Sequence, residues 1–101
     1  MAKGITEFAQ RDLLISQFGK ALSHPARVYI VRELSKLDAC CTSGEFFEKL
    51  PIARSTLSQH LKELKLAGLI QGQIEPPFIK YCINRANWEL AQQLFGDLLA
   101  K

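Results

Sequence analysis

The stretch PIARSTLSQHLKELKLAGLI, residues 51–70, decides how this chain is read. Leu57, Leu61 and Leu64 stand at the i, i+4, i+7 spacing of one helical face. Ser55, Gln59 and Lys62 fall on the opposite face, flanked by Thr56 and Ser58. That outer face is small, polar and hydrogen-bonding, with few acids. Leu66 departs from the stripe near the helix end. Gly68 sits where a left-handed cap would stop the helix, and Leu69 and Ile70 read as the start of a strand. A face of Ser, Thr, Gln, Lys and Arg has the chemistry of a major-groove reader. The Gln amide pairs with adenine, hydroxyls meet base edges or phosphates, and Lys and Arg meet phosphate or guanine. An amphipathic helix with a solvated face shows the same pattern, so the surrounding chain has to decide.

The bulk properties narrow the choice. At 101 residues the chain is expected to form one domain, residues 1–101, with a modest core. An apolar fraction of 48% is high for so small a protein and hints at apolar surface hidden between subunits. A net charge of +3 permits a polyanionic partner without requiring one. No apolar run approaches the roughly 18 residues that span a bilayer. Lys3 is not followed by a hydrophobic signal core, so a cytoplasmic location and no membrane partner are expected. Three cysteines, two of them adjacent, make a poor disulfide framework; thiols, ligands or redox sensors fit better.

Outward from residues 51–70, the chain reads as a series of short helices. Ile5, Phe8, Ile15, Phe18 and Leu22 have near-helical spacing, with Leu13 and Leu14 between them, so a first helix over 5–22 is apolar on more than one side. Ser23-His24-Pro25 breaks it. Ser23 or His24 can cap the next helix, and proline is tolerated in its first turn. That helix is expected over 25–37, burying Ala26, Ile30, Leu34 and Leu37, with Tyr29 and Val31 on its flanks. Thr42 and Glu45 have capping-box spacing ahead of a short helix with Phe46, Phe47 and Leu50, which Pro51 ends. The helix from about Arg54 to Ala67 follows. Two short helices with a tight turn and a polar outer face on the second form a helix-turn-helix pattern.

Downstream, Leu69–Ile74 and Phe78–Ile83 read as two strands about a Glu75-Pro76-Pro77 turn, a hairpin in the position of a wing. Asn84 or Asn87 can cap a last helix, expected over 87–100, with Trp88, Ala91, Leu94, Phe95, Leu98 and Leu99, widened by Leu90. The fold class expected is therefore mainly α with a small β-hairpin wing, a winged helix-turn-helix. Surplus apolar surface on the first and last helices points to a two-fold homodimer through them; packing within one chain is the other use for it.

With these elements placed, the sequence resembles the ArsR/SmtB family of winged-helix repressors. The matching segments are FGKALSHPARVYIVREL at 18–34, with the pattern L-x-HP-x-R, and STLSQHLKELKLAGLI at 55–70, with the pattern S-x-HL-x-x-L-x-x-x-GL. The resemblance covers nearly the whole chain. It implies a homodimer that binds a palindromic double-stranded DNA operator and lets go when an inducer binds. It also places Ser55, Thr56, Ser58, Gln59 and Lys62 toward the groove and Arg54 at the DNA backbone. His60 matches a family position counted with that DNA-binding set, but lies nearer the leucine face, where a half-buried imidazole is the favoured reading. His24 reads as a helix-start hydrogen bond rather than a ligand. Two departures stand out. The wing carries Glu75, Pro76 and Pro77 with only Lys80 where relatives often carry several bases. Ala53 stands where many place a capping serine.

The family's metal sites are not reproduced. Thr42 and Gly44 occupy the positions of its C-x-C thiolate pair, and the last helix lacks histidine. Cys40, Cys41 and Cys82 remain. A short strand ahead of the helix-turn-helix would bring Cys82 toward Cys40 and Cys41. Three thiolates would suit trivalent arsenic or antimony as inducer, which is what the resemblance suggests. Adjacent side chains on a strand point to opposite faces, which argues against all three meeting one ion. A vicinal pair could instead take an arsenical through two sulfurs, or thiols of lowered pKa could respond to an oxidant. Small buried hydrophobes are the remaining reading. Two rival functions are a winged-helix protein-interaction module without DNA binding, supported by the weakly basic wing, and a thiol enzyme. No C-x-x-C and no acid–base constellation supports the latter, so an enzyme is not expected.

Overall fold

The computed structural model describes residues 8–37, 40–42, 44 and 48–101. Among them are four helices and three strands. Helix α1 is Gln10–Ala21, α2 Pro25–Ser35 and α3 Arg54–Leu66. Strands β1 (Cys41–Thr42), β2 (Ile70–Glu75) and β3 (Phe78–Ile83) form an antiparallel sheet in the order β1-β3-β2. Helix α4, Arg85–Leu99, closes the chain. This is the winged helix-turn-helix that the periodicity predicts, and the molecule is elongated, 52 × 26 × 25 Å. The short helix expected around Phe46 and Phe47, with its capping glutamate Glu45, lies outside the described residues, as does Ile5 of the first helix. Thr42, the other half of that capping box, sits in β1.

Several boundaries differ from expectation. The first helix begins at Gln10, so Phe8 lies ahead of it and is exposed; the apolar spacing continues upstream of the point where Ala9 turns extended. Helix α2 ends at Ser35, and Leu37 is exposed beyond it rather than buried. The cause is tertiary: the Arg85 guanidinium donates to the carbonyls of Ser35 (3.0 Å) and Leu37 (3.1 Å), satisfying acceptors at the end of α2 that water or a cap would otherwise take. Helix α4 starts at Arg85 because Asn84 is its cap, accepting from the Asn87 amide at 3.2 Å. Glu75 belongs to β2, so the turn is Pro76-Pro77 alone.

One core joins all the elements: Phe18 and Ala21 from α1, Ile30, Val31 and Leu34 from α2, the three leucines of α3, Leu69 and Ile70, Ile83, and Ala91 and Leu94 from α4. Fully burying each large aliphatic side chain stabilises the fold by about 1.5–3 kcal/mol. The register Ile70↔Ile83, Gly72↔Tyr81, Ile74↔Ile79 gives the sheet an inner face toward α3, and Gln71↔Cys82, Gln73↔Lys80, Glu75↔Phe78 an outer one. The inner-face pair Ile70 and Ile83 reaches the core; the pair Ile74 and Ile79, farther along the hairpin, is exposed.

Candidate nucleic-acid interface

The site is built on α3. Leu57, Leu61 and Leu64 are 2%, 1% and 0% exposed, so the helix cannot rotate without breaking the core. Arg54, Ser55, Thr56, Ser58, Gln59 and Lys62 are all exposed, a continuous polar face. Leu66 is 70% exposed, in keeping with its departure from the stripe. Ala53 caps the helix without a side-chain hydrogen bond, so the first-turn amides lack the usual acceptor. Gln59 donates its amide to Glu63 Oε2 at 2.9 Å, along the exposed face. At the other end Gly68 takes φ +85°, the left-handed conformation expected of it. The Asn87 side chain of α4 donates to the Gly68 carbonyl at 2.8 Å, which ties the end of α3 to the last helix.

His60 separates from the other six residues. It is 6% exposed and faces inward. Its Nδ1 accepts from Arg27 Nε at 3.0 Å, and its ring lies 4.3 Å from the His24 ring. His24 in turn caps α2, its Nδ1 accepting from the Ala26 amide at 3.0 Å. An imidazole that accepts at Nδ1 carries its proton on Nε2, and that atom is buried without a hydrogen-bond partner in the structure. Burial, then the His24 ring and the Arg27 guanidinium, hold the His60 pKa below its ordinary value. His60 therefore serves as a neutral joint between the start of α2 and the middle of α3. Arg27, within the HP-x-R motif, is the residue that the sequence did not identify as half of this joint.

The cysteines divide according to the strand pleat. Cys41 pairs with Tyr81 on the inner face and packs against the core. Cys40, just ahead of β1, and Cys82 of β3 are joined on the outer face in a disulfide with a Cα–Cα distance of 4.5 Å. Cys40 Sγ also lies 3.6 Å from Gln73 Oε1. The structure thus brings together two of the three sulfurs considered for a metalloid and places the third on the opposite face. Among the described residues no group of three or more His, Cys, Asp or Glu side chains could hold a metal ion.

The dimer surface expected on the terminal helices has a structural counterpart. Helices α1 and α4 pack on each other, yet Leu13 on α1 and Leu98 and Leu99 on α4 stay 49–77% exposed, as does Phe8 ahead of α1. No helix among the described residues is long and apolar enough to cross a membrane.

Comparison with known proteins agrees with this geometry. Residues 22–73 match a family model described as a helix-turn-helix domain. The HTH-type transcriptional regulator CmtR of Mycobacterium tuberculosis is 33% identical over 89 residues, covering 88% of this chain and 71% of the relative. Among solved structures, an ArsR-like transcriptional regulator from Rhodococcus sp. RHA1 superposes with a TM-score of 0.73 at 21% identity, over 89% of this chain and 83% of the other. A DNA-binding domain of Mycobacterium bovis, Mb0332, described as a homodimeric winged helix-turn-helix, gives 0.67 at 22% identity, over 94% and 92%. At these identities the two structures establish the fold.

Proposed function

This chain belongs to the ArsR/SmtB family of winged-helix transcriptional regulators, and from that premise we propose that it is a homodimeric repressor that reads a palindromic operator through α3. The observation that carries the reading is the two-sidedness of α3: three leucines locked in the core hold Ser55, Thr56, Ser58, Gln59 and Lys62 outward as one rigid polar face. Phosphate contacts from Arg54 and the first turn position the dimer, and the outward side chains meet base edges in successive major-groove half-sites. The exposed leucines of α1 and α4 supply the two-fold contact; the Mb0332 domain, which shares the fold, is described as a homodimer.

For the effector, the paired Cys40 and Cys82 support an oxidant over a three-thiolate metalloid site. Two thiols give up two electrons and two protons to a peroxide, which leaves as water or alcohol and water, and the new S–S bond clasps β1 to the wing strand. Reduction by a thiol reverses it. The clasp fixes the segment that leads into the helix-turn-helix and shifts the protein toward an arrangement with lower operator affinity.

Titration of reduced protein on duplex DNA from upstream of its own gene tests both parts. Gln59→Ala should weaken specific binding by about 1–3 kcal/mol and leave random DNA unaffected; equal loss on both would remove Gln59 from base reading. Hydrogen peroxide should release the wild type but not Cys82→Ser. Release of the wild type by trivalent arsenic under reducing conditions, lost in the Cys variants, would restore the metalloid reading. Absence of any salt-dependent DNA affinity would favour the protein-interaction module.

A further inference from the structure

The connection between α2 and α3 depends on a proton. Arg27 Nε, near the start of α2, donates to His60 Nδ1 in the middle of α3 at 3.0 Å. That bond exists only while Nδ1 keeps its lone pair. A guanidinium has donors and no acceptor and stays charged, and an imidazolium has two donors and no acceptor. A proton on Nδ1 therefore replaces an acceptor with a donor and sets two cations against each other. His60 is 6% exposed and its Nε2 is buried without a partner, so a charged ring has no acceptor there for its other N–H.

The surrounding groups give such a charge little relief. His24, ahead of α2, places its ring 4.3 Å from that of His60, and on α2 the facing charge is Arg27. From α1 come the carbonyls of Lys20 and Ala21, each 3.5 Å from Arg27 Nη1, which anchor the guanidinium. The Lys20 side chain and Glu63 of α3 line an adjoining cleft, and Glu63 already accepts from Gln59. Burial, then His24 and Arg27, favour the neutral His60 ring.

We propose that the Arg27–His60 bond is a proton-gated joint: with His60 neutral it holds α3 in the orientation that reads the operator, and uptake of one proton at Nδ1 breaks the bond and releases the operator. The proposal rests on α3 being the DNA-facing helix. Hydrogen bonds to base edges form over a window of only about 0.5 Å. A small displacement of α3 against α2 therefore costs base contacts, while attraction to phosphate persists. His24 is exposed, and its charge adds attraction for any duplex alike. Acid should thus lower the preference for the operator rather than the affinity for DNA in general.

The test titrates the full-length reduced protein onto promoter duplex from upstream of its own gene and onto scrambled duplex. Anisotropy is read from about pH 7.5 to about pH 5, across the ordinary histidine range, with helix content followed by circular dichroism. The wild-type preference for the promoter should fall about tenfold or more, the size of one hydrogen bond to a charged group, with helix content unchanged. The midpoint should lie below about 6.5. His60→Asn offers an amide oxygen in place of Nδ1 and does not titrate, so it should keep the preference throughout. Arg27→Gln keeps a donor but removes the cation, so it should move the midpoint upward, which a merely structural bond would not do. His24→Asn retains a capping side chain and should retain the fall. By reciprocity, operator binding near the midpoint should release protons, read as a binding heat that varies with the ionisation enthalpy of the buffer. A wild-type preference that persists at the acid end, or a fall that His60→Asn retains, would overturn the joint and leave the reading of α3 standing. A fall that tracks loss of helix content would make it unfolding, and would overturn the joint as well. Absence of any preference at the alkaline end would overturn the reading of α3, and the joint with it.

Discussion

The helix-turn-helix block and the three-stranded sheet are held by different means. In the block, α2 and α3 share fully buried Ile30, Leu34, Leu57, Leu61 and Leu64 and are bolted at one point by the Arg27–His60 hydrogen bond. In the sheet, Ile70 and Ile83 enter the core and Cys41 and Tyr81 pack against it; farther out, cross-strand pairs, a Glu75–Lys80 ion pair and the Cys40–Cys82 clasp hold it. The block presents one face in one orientation. The sheet is a lever whose outer end carries little of the fold's stability.

Substitutions should expose this contrast in graded fashion. The largest effect belongs to Leu64, which is 0% exposed in the block. Leu64→Ala should lower the free energy of unfolding by about 2–5 kcal/mol in urea titration. At the junction of block and sheet, Gly68→Ala should cost about 1–3 kcal/mol. Its φ of +85° disfavours any side chain, and the new Cβ would come 2.8 Å from the Asn87 side-chain Nδ2. A smaller effect should appear with pH. The His60 pKa is lowered in the folded chain, so the unfolded chain binds the extra proton first. Stability is therefore full above the ordinary histidine value of about 6.5 and falls as pH drops below it. His24 and Arg27 are the groups facing His60, and His60→Asn should flatten that part of the urea-midpoint profile. Least of all, Ile74→Ser at the hairpin tip should change stability by no more than about 0.5 kcal/mol. A loss comparable to that of Leu64→Ala would show that the tip is part of the fold's foundation.

Both faces of α3 were legible in the sequence because leucines at helical spacing leave one orientation for the remaining residues, and Gly68 marked its end. The separation of Cys41 from Cys40 followed from the pleat, and Cys82 emerged opposite Cys40 once β1 lay beside β3. The joints between distant segments were not legible. Arg27 meets His60 across 33 residues, Asn87 meets Gly68 across 19, and Arg85 ends α2 from 50 residues away. Each is a single polar contact with no periodic signature. The end of α2 was placed two residues late for that reason: the apolar spacing runs on to Leu37, while the carbonyls of Ser35 and Leu37 bind a side chain from α4. The α1 start was misplaced in the same way, since Phe8 continues a pattern that the extended backbone at Ala9 interrupts.

The role proposed for the outward face of α3 is to read DNA. It is tested most directly by anisotropy titration of the reduced protein on promoter duplex and on a scrambled duplex of equal length, for the wild type and for Gln59→Ala. Two protomers should bind each operator, more tightly on the promoter than on the scrambled duplex, and the variant should lose that preference. Equal affinity for the two duplexes in the wild type, or a preference that survives Gln59→Ala together with Ser55→Ala and Ser58→Ala, would contradict it.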